Sequence, residues 1–192
     1  MIPFDKLGWV FHRFGKRIYP REVRQDLCRF LDTLPPKAAV LDVGAGTGVL
    51  CELSQACRND LLLTAADPAE GMLRYCSNTV ETIVATAEAL PFENDSFDAV
   101  MMGEALHHFH DVHAAFLEIA RILKPNGKLF IYDFNPEKFM GRVIAKGEVF
   151  LGEPGNFFTP SILESKLAPF GFETKSEEYG YRYTIYAQMQ PQ

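Results

Sequence analysis

From residue 39 onward the chain alternates short apolar runs with stretches of helical periodicity, and this alternation constrains the fold more than any other feature. "AVLDVG" (39–44), "LLLTAAD" (61–67), "TIVAT" (82–86), "FDAVMMG" (97–103) and "KLFIYDF" (128–134) are all short and β-rich. Runs without polar alternation suit strands covered on both faces, and the intervening helices supply that cover. The pattern predicts an α/β architecture around a parallel sheet.

The helical stretches carry their own start and stop signals. "REVRQDLCRFLDTL" (21–34) places Val23, Leu27, Phe30 and Leu34 on one face before Pro35-Pro36. "DVHAAFLEIARIL" (111–123) places Val112, Phe116, Ile119 and Leu123 together, with Asp111 as the cap and "KPNG" as the stop. Residues 135–158 leave the tidy alternation. There "PEKFMGRVIAK" reads as a helix with Phe139, Met140, Val143 and Ile144 on one side, within an insertion over the carboxyl edge of the sheet. "TPSILESKLAPFGF" predicts a helix capped by Thr159 and ending near Gly171, and the tail predicts an antiparallel hairpin turning near Gly180.

With 192 residues the chain is the size of one domain. Within it we delimit an N-terminal helical lid (1–36), a core (37–134), the insertion (135–158) and a C-terminal helix and hairpin (159–192). A net charge of -6 disfavours a basic nucleic-acid-binding surface. No apolar run has the length of a membrane span, and "MIPFDKLGWVFHRFGKR" lacks a signal peptide's apolar segment, so the expected location is the cytoplasm. Cys28, Cys51, Cys57 and Cys76 show no CxxC spacing. They read as buried, reduced thiols rather than a zinc site or a disulfide framework.

"LDVGAGTG" (41–48) follows a predicted strand and opens a predicted helix. Gly44, Gly46 and Gly48 allow a sharp turn and close approach of a ligand to the backbone, and Asp42 puts a carboxylate beside that turn. A nicotinamide-dinucleotide fingerprint would need glycine or alanine where this chain has Val49. Asp67 ends the second strand about twenty residues on, where a carboxylate accepts hydrogen bonds from ribose hydroxyls. "DPAEGML" offers a competing role for it as a helix cap, with Pro68 at the first helical position.

"VLDVGAGTGVL", "AADPAEGML", "AEALPFENDSFDAV", "GEALHHF" and "EIARILKPNGKLFIYDF" stand in the order and spacing of a known family. Over residues 37–134 the chain resembles the class I S-adenosylmethionine-dependent methyltransferases, especially the ubiquinone/menaquinone-biosynthesis-like subgroup. The resemblance implies a Rossmann-like, three-layer αβα sandwich around a seven-stranded, mostly parallel sheet whose last strand is antiparallel. It further implies that Gly44, Ala45, Gly46, Thr47 and Gly48 cradle the methionine part of S-adenosylmethionine and that Asp67, beside Pro68, binds its ribose. Ala87 and Glu88 would lie by the adenine, with Met72 on its other side. Thr86 stands where the family commonly has aspartate, and a hydroxyl binds the adenine amine more weakly than a carboxylate.

"GEALHHFHDVH" (103–113) then divides by position. Gly103 and Glu104 end the fourth strand, where ligands of such folds sit, so that Glu104, Leu106, His107 and His108 fall near the methyl donor. His107 and His108 are the candidate catalytic residues, as a base or as groups orienting the acceptor, against a reading as loop structure. His110 and His113 read as solvated. No obvious set of cysteines or carboxylates completes a metal site with these histidines, so none is expected. Phe4, Trp9, Phe11, Phe14, Phe139, Phe150, Phe157 and Phe158 make the lid and the insertion aromatic, as expected for closure over an apolar or aromatic small molecule. One of Arg13, Lys16, Arg17 and Arg21 is a candidate for the cofactor's carboxylate.

The expected activity is methyl transfer from S-adenosylmethionine to a small apolar or aromatic acceptor, with S-adenosylhomocysteine as product; a homodimer is compatible with the sequence. One rival is a non-catalytic protein binding either form of the cofactor on the same fold, which Thr86 and the short chain favour. A nicotinamide-dependent oxidoreductase is disfavoured by Val49, and a macromolecular acceptor by the absence of a basic patch.

Overall fold

The computed structural model describes residues 12–13, 15–152 and 154–190. Phe4, Trp9, Phe11 and Phe14, expected over the pocket, and the Lys16 side chain lie outside the described residues. Seven strands form one sheet in the order β3-β2-β1-β4-β5-β7-β6. They are β1 (Ala39–Val43), β2 (Leu62–Asp67), β3 (Glu81–Val84), β4 (Phe97–Gly103), β5 (Leu123–Phe134), β6 (Phe172–Tyr179) and β7 (Arg182–Met189). Only β7 is antiparallel, paired with β5 on one side and β6 on the other. The order reverses between β1 and β4, which opens a crevice at their carboxyl ends.

Both faces of the sheet are buried, which is why the strand runs lack polar alternation. Along β5, Leu129 and Ile131 join one core with Phe116, Ile119 and Leu163, whereas Phe130 and Tyr132 join the other with Val23, Leu27 and Phe30. The first core lies beneath α4 (Val112–Ile122) and α6 (Pro160–Leu167), the second beneath α1 (Arg21–Leu31) and α2 (Val49–Cys57). The expected three layers result. Asp26, fully buried on α1, accepts hydrogen bonds from Tyr179 Oη (2.8 Å) and Thr184 Oγ1 (2.6 Å), and so fastens that helix to the terminal hairpin.

Local signals set several boundaries. Asp111 Oδ1 accepts from the amides of His113 (2.9 Å) and Ala114 (3.0 Å) at the start of α4, and Thr159 Oγ1 accepts from Ile162 N at the start of α6. "KPNG" departs from expectation. The helix stops at Ile122, and residues 124–127 belong to a bulged entry into β5, with Asn126 left-handed at φ 62°. The helix after β2 is also shorter than expected. α3 spans only Glu70–Leu73, so Pro68 precedes it rather than occupying its first position.

Cys28 and Cys57 form a disulfide between the ends of α1 and α2, with their Cα atoms 5.2 Å apart. This corrects the expectation of four reduced thiols. The two cysteines are 29 residues apart on helices that meet only in the folded chain, a proximity that local spacing does not encode. Cys51 and Cys76 are free thiols.

Candidate active site

A cavity of about 630 Å³ opens at the carboxyl ends of β1, β2 and β4, in the crevice where the strand order reverses. Its floor is the glycine turn. Gly44 and Gly46 take φ of 72° and 53°, the left-handed region that side chains disfavour. A Cβ on Gly44 would lie 2.5 Å from Ala105 Cβ, so this backbone must pass unhindered beneath the loop that follows β4. The amides of Gly44 and Ala45 both donate to Ala66 O, at 2.9 and 3.1 Å, tying the turn to the end of β2.

Asp67 completes that tie. Its Oδ2 accepts from Gly46 N and its Oδ1 from Ala69 N, each at 2.8 Å. The bond to Ala69 N falls ahead of the short helix at Glu70–Leu73, so Asp67 braces the approach to that helix rather than capping it, and the residue also lines the cavity.

Beyond Asp67 the cavity is walled by Pro68, Met72, Thr86, Ala87 and Glu88. Glu88 also has a structural duty, because its Oε1 accepts from the amides of His110 (2.8 Å) and Asp111 (3.2 Å) and so fixes the loop entering α4. Burial alone would raise this carboxyl, but those amides and the Thr86 hydroxyl hold it below its usual range. On the other side stand Ala45, Thr47, Gly103 and Glu104. Glu104 holds a left-handed backbone at φ 52°, a conformation costly for a residue with a side chain and concentrated at functional sites. Burial, reinforced by the charge of Asp133, pushes its carboxyl up to about 7.

Three residues singled out from sequence stand behind the lining rather than in it. Asp42 is buried beneath the turn, where Cys51 Sγ donates to its Oδ2 at 3.4 Å. Gly48 backs onto Cys76, and Leu106 is packed in the apolar core. Among the described residues, Arg13, Arg17 and Arg21 do not line the cavity. Tyr19 does, although its pattern carried no chemical signal, and its hydroxyl donates to Gly103 O at 3.4 Å.

The far end is made by His107, His108, Phe134 and, from the insertion, Ile144, Glu148, Gly152 and Pro154. His107 is buried, with its ring stacked on Phe157 (centroids 4.9 Å) and against His108 (4.1 Å). Its Nδ1 lies 3.7 Å from Asp133 Oδ1. Burial alone would lower the His107 pKa, but Asp133, followed by Glu148 and Glu104, holds it above its usual value. His110 is exposed at the cavity rim, and His113 is exposed with its ring edge against Phe170.

The insertion covers this end differently from the sequence expectation. Its helix α5 (Phe139–Phe150) leaves Phe139 78% and Phe150 90% exposed, with Met140 and Val143 also outward. Gly141 decides the orientation. It is buried directly against Asn135 O, where any side chain would collide, so the helix turns its glycine face inward and its large apolar face outward. Closure falls instead to Ile144, Glu148 and Phe157, while Phe158 packs against the core. Asn156 Nδ2 pins the strap by donating to Phe109 O at 2.6 Å. α5 also brings Glu148 close to the two imidazoles, a neighbour that the sequence did not place there.

Residues 41–131 match the methyltransferase domain family. The demethylmenaquinone methyltransferase of Corynebacterium glutamicum (strain R) is 34% identical over 124 residues, covering 64% of this chain and 51% of that protein. The ubiquinone/menaquinone biosynthesis C-methyltransferase UbiE of Blochmanniella pennsylvanica is 34% identical over 147 residues, covering 70% and 54%. The chain thus spans about half the length of the curated relatives it matches. Among solved structures, a SAM dependent methyltransferase from Aquifex aeolicus has the same fold, with a TM-score of 0.77 at 22% identity over 98% of this chain and 100% of that one.

Proposed function

From its similarity to the methyltransferase domain family over residues 41–131 and to the quinone methyltransferases, we propose that the chain is a class I S-adenosylmethionine-dependent methyltransferase that transfers a methyl group from that cofactor to a small, apolar or aromatic molecule. The observation that carries the reading is the continuity of the cavity from the glycine turn and Asp67 to the two imidazoles. It offers one place for a nucleoside and an amino-acid chain, and a separate aromatic end for an acceptor.

The lining suits the cofactor part by part. Residues 44–47 would hold the methionine portion against exposed backbone, and Asp67, which lines the cavity beside the turn, would take the ribose hydroxyls. Met72 and Ala87 would sandwich the adenine, with Thr86 and Glu88 at its edge. The cofactor supplies an electrophilic methyl on a sulfonium. Glu104 and Asp133 place carboxylates near that end, where negative charge favours the cation, and Glu104 would ionise more fully once it faces one.

The chain's chemical work is chiefly alignment and exclusion of water. Phe134, Ile144 and Phe157 desolvate the acceptor end, and His107 and His108 receive the acceptor's polar group. Two of the matched relatives are named for methylation of quinone precursors, which supports a ring-bearing small molecule as acceptor. The test is transfer of label from methyl-labelled S-adenosylmethionine to a panel of hydroxylated aromatics and quinols, read by mass spectrometry. Label in a panel member, reduced at least tenfold by His107→Ala or His108→Ala, is the expected result. Absence of label from every acceptor, in a protein that binds the cofactor, would favour the non-catalytic rival.

A further inference from the structure

We propose that the acceptor end of the cavity is a binding site for a first-row divalent cation, held by His107, His108 and Glu148. One ligand atom from each of the three lies within 4.8 Å of the others. Bonds to such an ion of about 2.0–2.2 Å hold ligands roughly 3 to 3.5 Å apart, so small rotations of His108 and Glu148 close the set. Two imidazoles and one carboxylate form the donor combination that takes zinc, iron, cobalt or manganese and leaves positions open for a further ligand.

The surroundings are those of a ligating histidine. His107 is buried, with its Nδ1 turned to Asp133 Oδ1 at 3.7 Å, so that Nε2 is the nitrogen an ion would take. Asp133 stands outside the three-residue group yet beside its most buried member, where a carboxylate orients a ligating imidazole and raises its basicity. Phe134 and Phe157 pack on the His107 ring at 5.4 and 4.9 Å, restricting its motion and excluding water.

Glu104 and Glu148 line this cavity, and no lysine or arginine does so among the described residues. Two of the ligands come from the loop after β4 and the third from α5. An oxygen of the acceptor would fill an open coordination position. That role in acceptor binding rests on the methyl-transfer reading, whereas binding of the ion does not.

The test titrates tag-free, chelator-treated protein with Co²⁺, read by visible absorption, and with Zn²⁺, read by calorimetry. One equivalent should bind, with cobalt bands characteristic of nitrogen and oxygen ligands. Glu148→Gln and His108→Ala should each weaken binding at least tenfold while far-ultraviolet dichroism stays unchanged; both positions are partly exposed, so folding should survive. Asp133→Asn should weaken it roughly 10- to 100-fold. His110→Ala, at the rim, should leave it unaltered. No binding at millimolar metal would overturn the proposal, as would binding that persists in both ligand variants. Titration of the same samples with S-adenosylhomocysteine separates the two readings, because cofactor binding can fail while the metal site stands, and the reverse.

Discussion

Asp67 Oδ2 accepts a 2.8 Å hydrogen bond from the amide of Gly46, so the carboxylate placed to meet a ribose also holds the turn placed to meet the rest of the cofactor. Asp67→Ala removes both functions and strands the Gly46 and Ala69 amides. The expected loss of affinity is roughly 10- to 100-fold, or about 1.5–3 kcal/mol for a charge-assisted partner. Calorimetry with S-adenosylhomocysteine measures it, and unchanged affinity would reduce Asp67 to a brace of the turn.

Gly44→Ala tests the floor of the cavity. The substitution forces a side chain into φ 72° and against Ala105 Cβ. The left-handed conformation costs about 1–2 kcal/mol and the overlap about as much again. Chemical denaturation should show a loss of about 2–4 kcal/mol, together with weakened cofactor binding. Native stability would mean that the turn has another conformation.

Asp42 gives stability a pH signature. Burial, opposed in part by the Cys51 thiol and aided by Asp67, pushes its carboxyl from 3.8 up to about 7. The folded chain therefore keeps a proton that the unfolded chain has lost. The contribution is full below about pH 3.8 and disappears as the pH rises to about 7, with a slope of at most about 1.4 kcal/mol per pH unit. Without cofactor, Asp42→Asn should gain stability relative to the parent chain between pH 4 and 7 and level off above. A difference independent of pH would contradict the assignment.

The Cys28–Cys57 bond makes two predictions of its own. Thiol labelling of the unfolded, unreduced chain should find Cys51 and Cys76 and leave the other pair unmodified. A Cys28→Ala, Cys57→Ala variant should lose about 2–4 kcal/mol, the stabilisation usual for a cross-link closing a loop of this length. Labelling of all four cysteines would show that the bond is absent.

What could be read from sequence divides along physical lines. Strands such as Val40–Val43 and Leu129–Phe134 were legible because burial on both faces leaves continuous apolar runs, and Gly44 to Gly48 because a left-handed turn selects glycine. The caps at Asp111 and Thr159 were legible because each acts on amides two or three residues away. Groups assembled from distant segments were not. Asp133 and Glu148 meet His107 from β5 and α5, and nothing local to "ALHHF" announces either. For α5 the apolar stripe itself misled in part, since one buried glycine turned Phe139, Met140 and Val143 outward and left only Ile144 of the stripe facing the cavity.

The continuity of the cavity from Gly44 through Asp67 to His107 is what the whole account depends on. Isothermal calorimetry of the intact chain with S-adenosylmethionine, and separately with S-adenosylhomocysteine, tests it most directly. One site per chain with micromolar affinity for each is expected, weakened by Asp67→Ala. Failure of both ligands to bind at high micromolar concentration would contradict it.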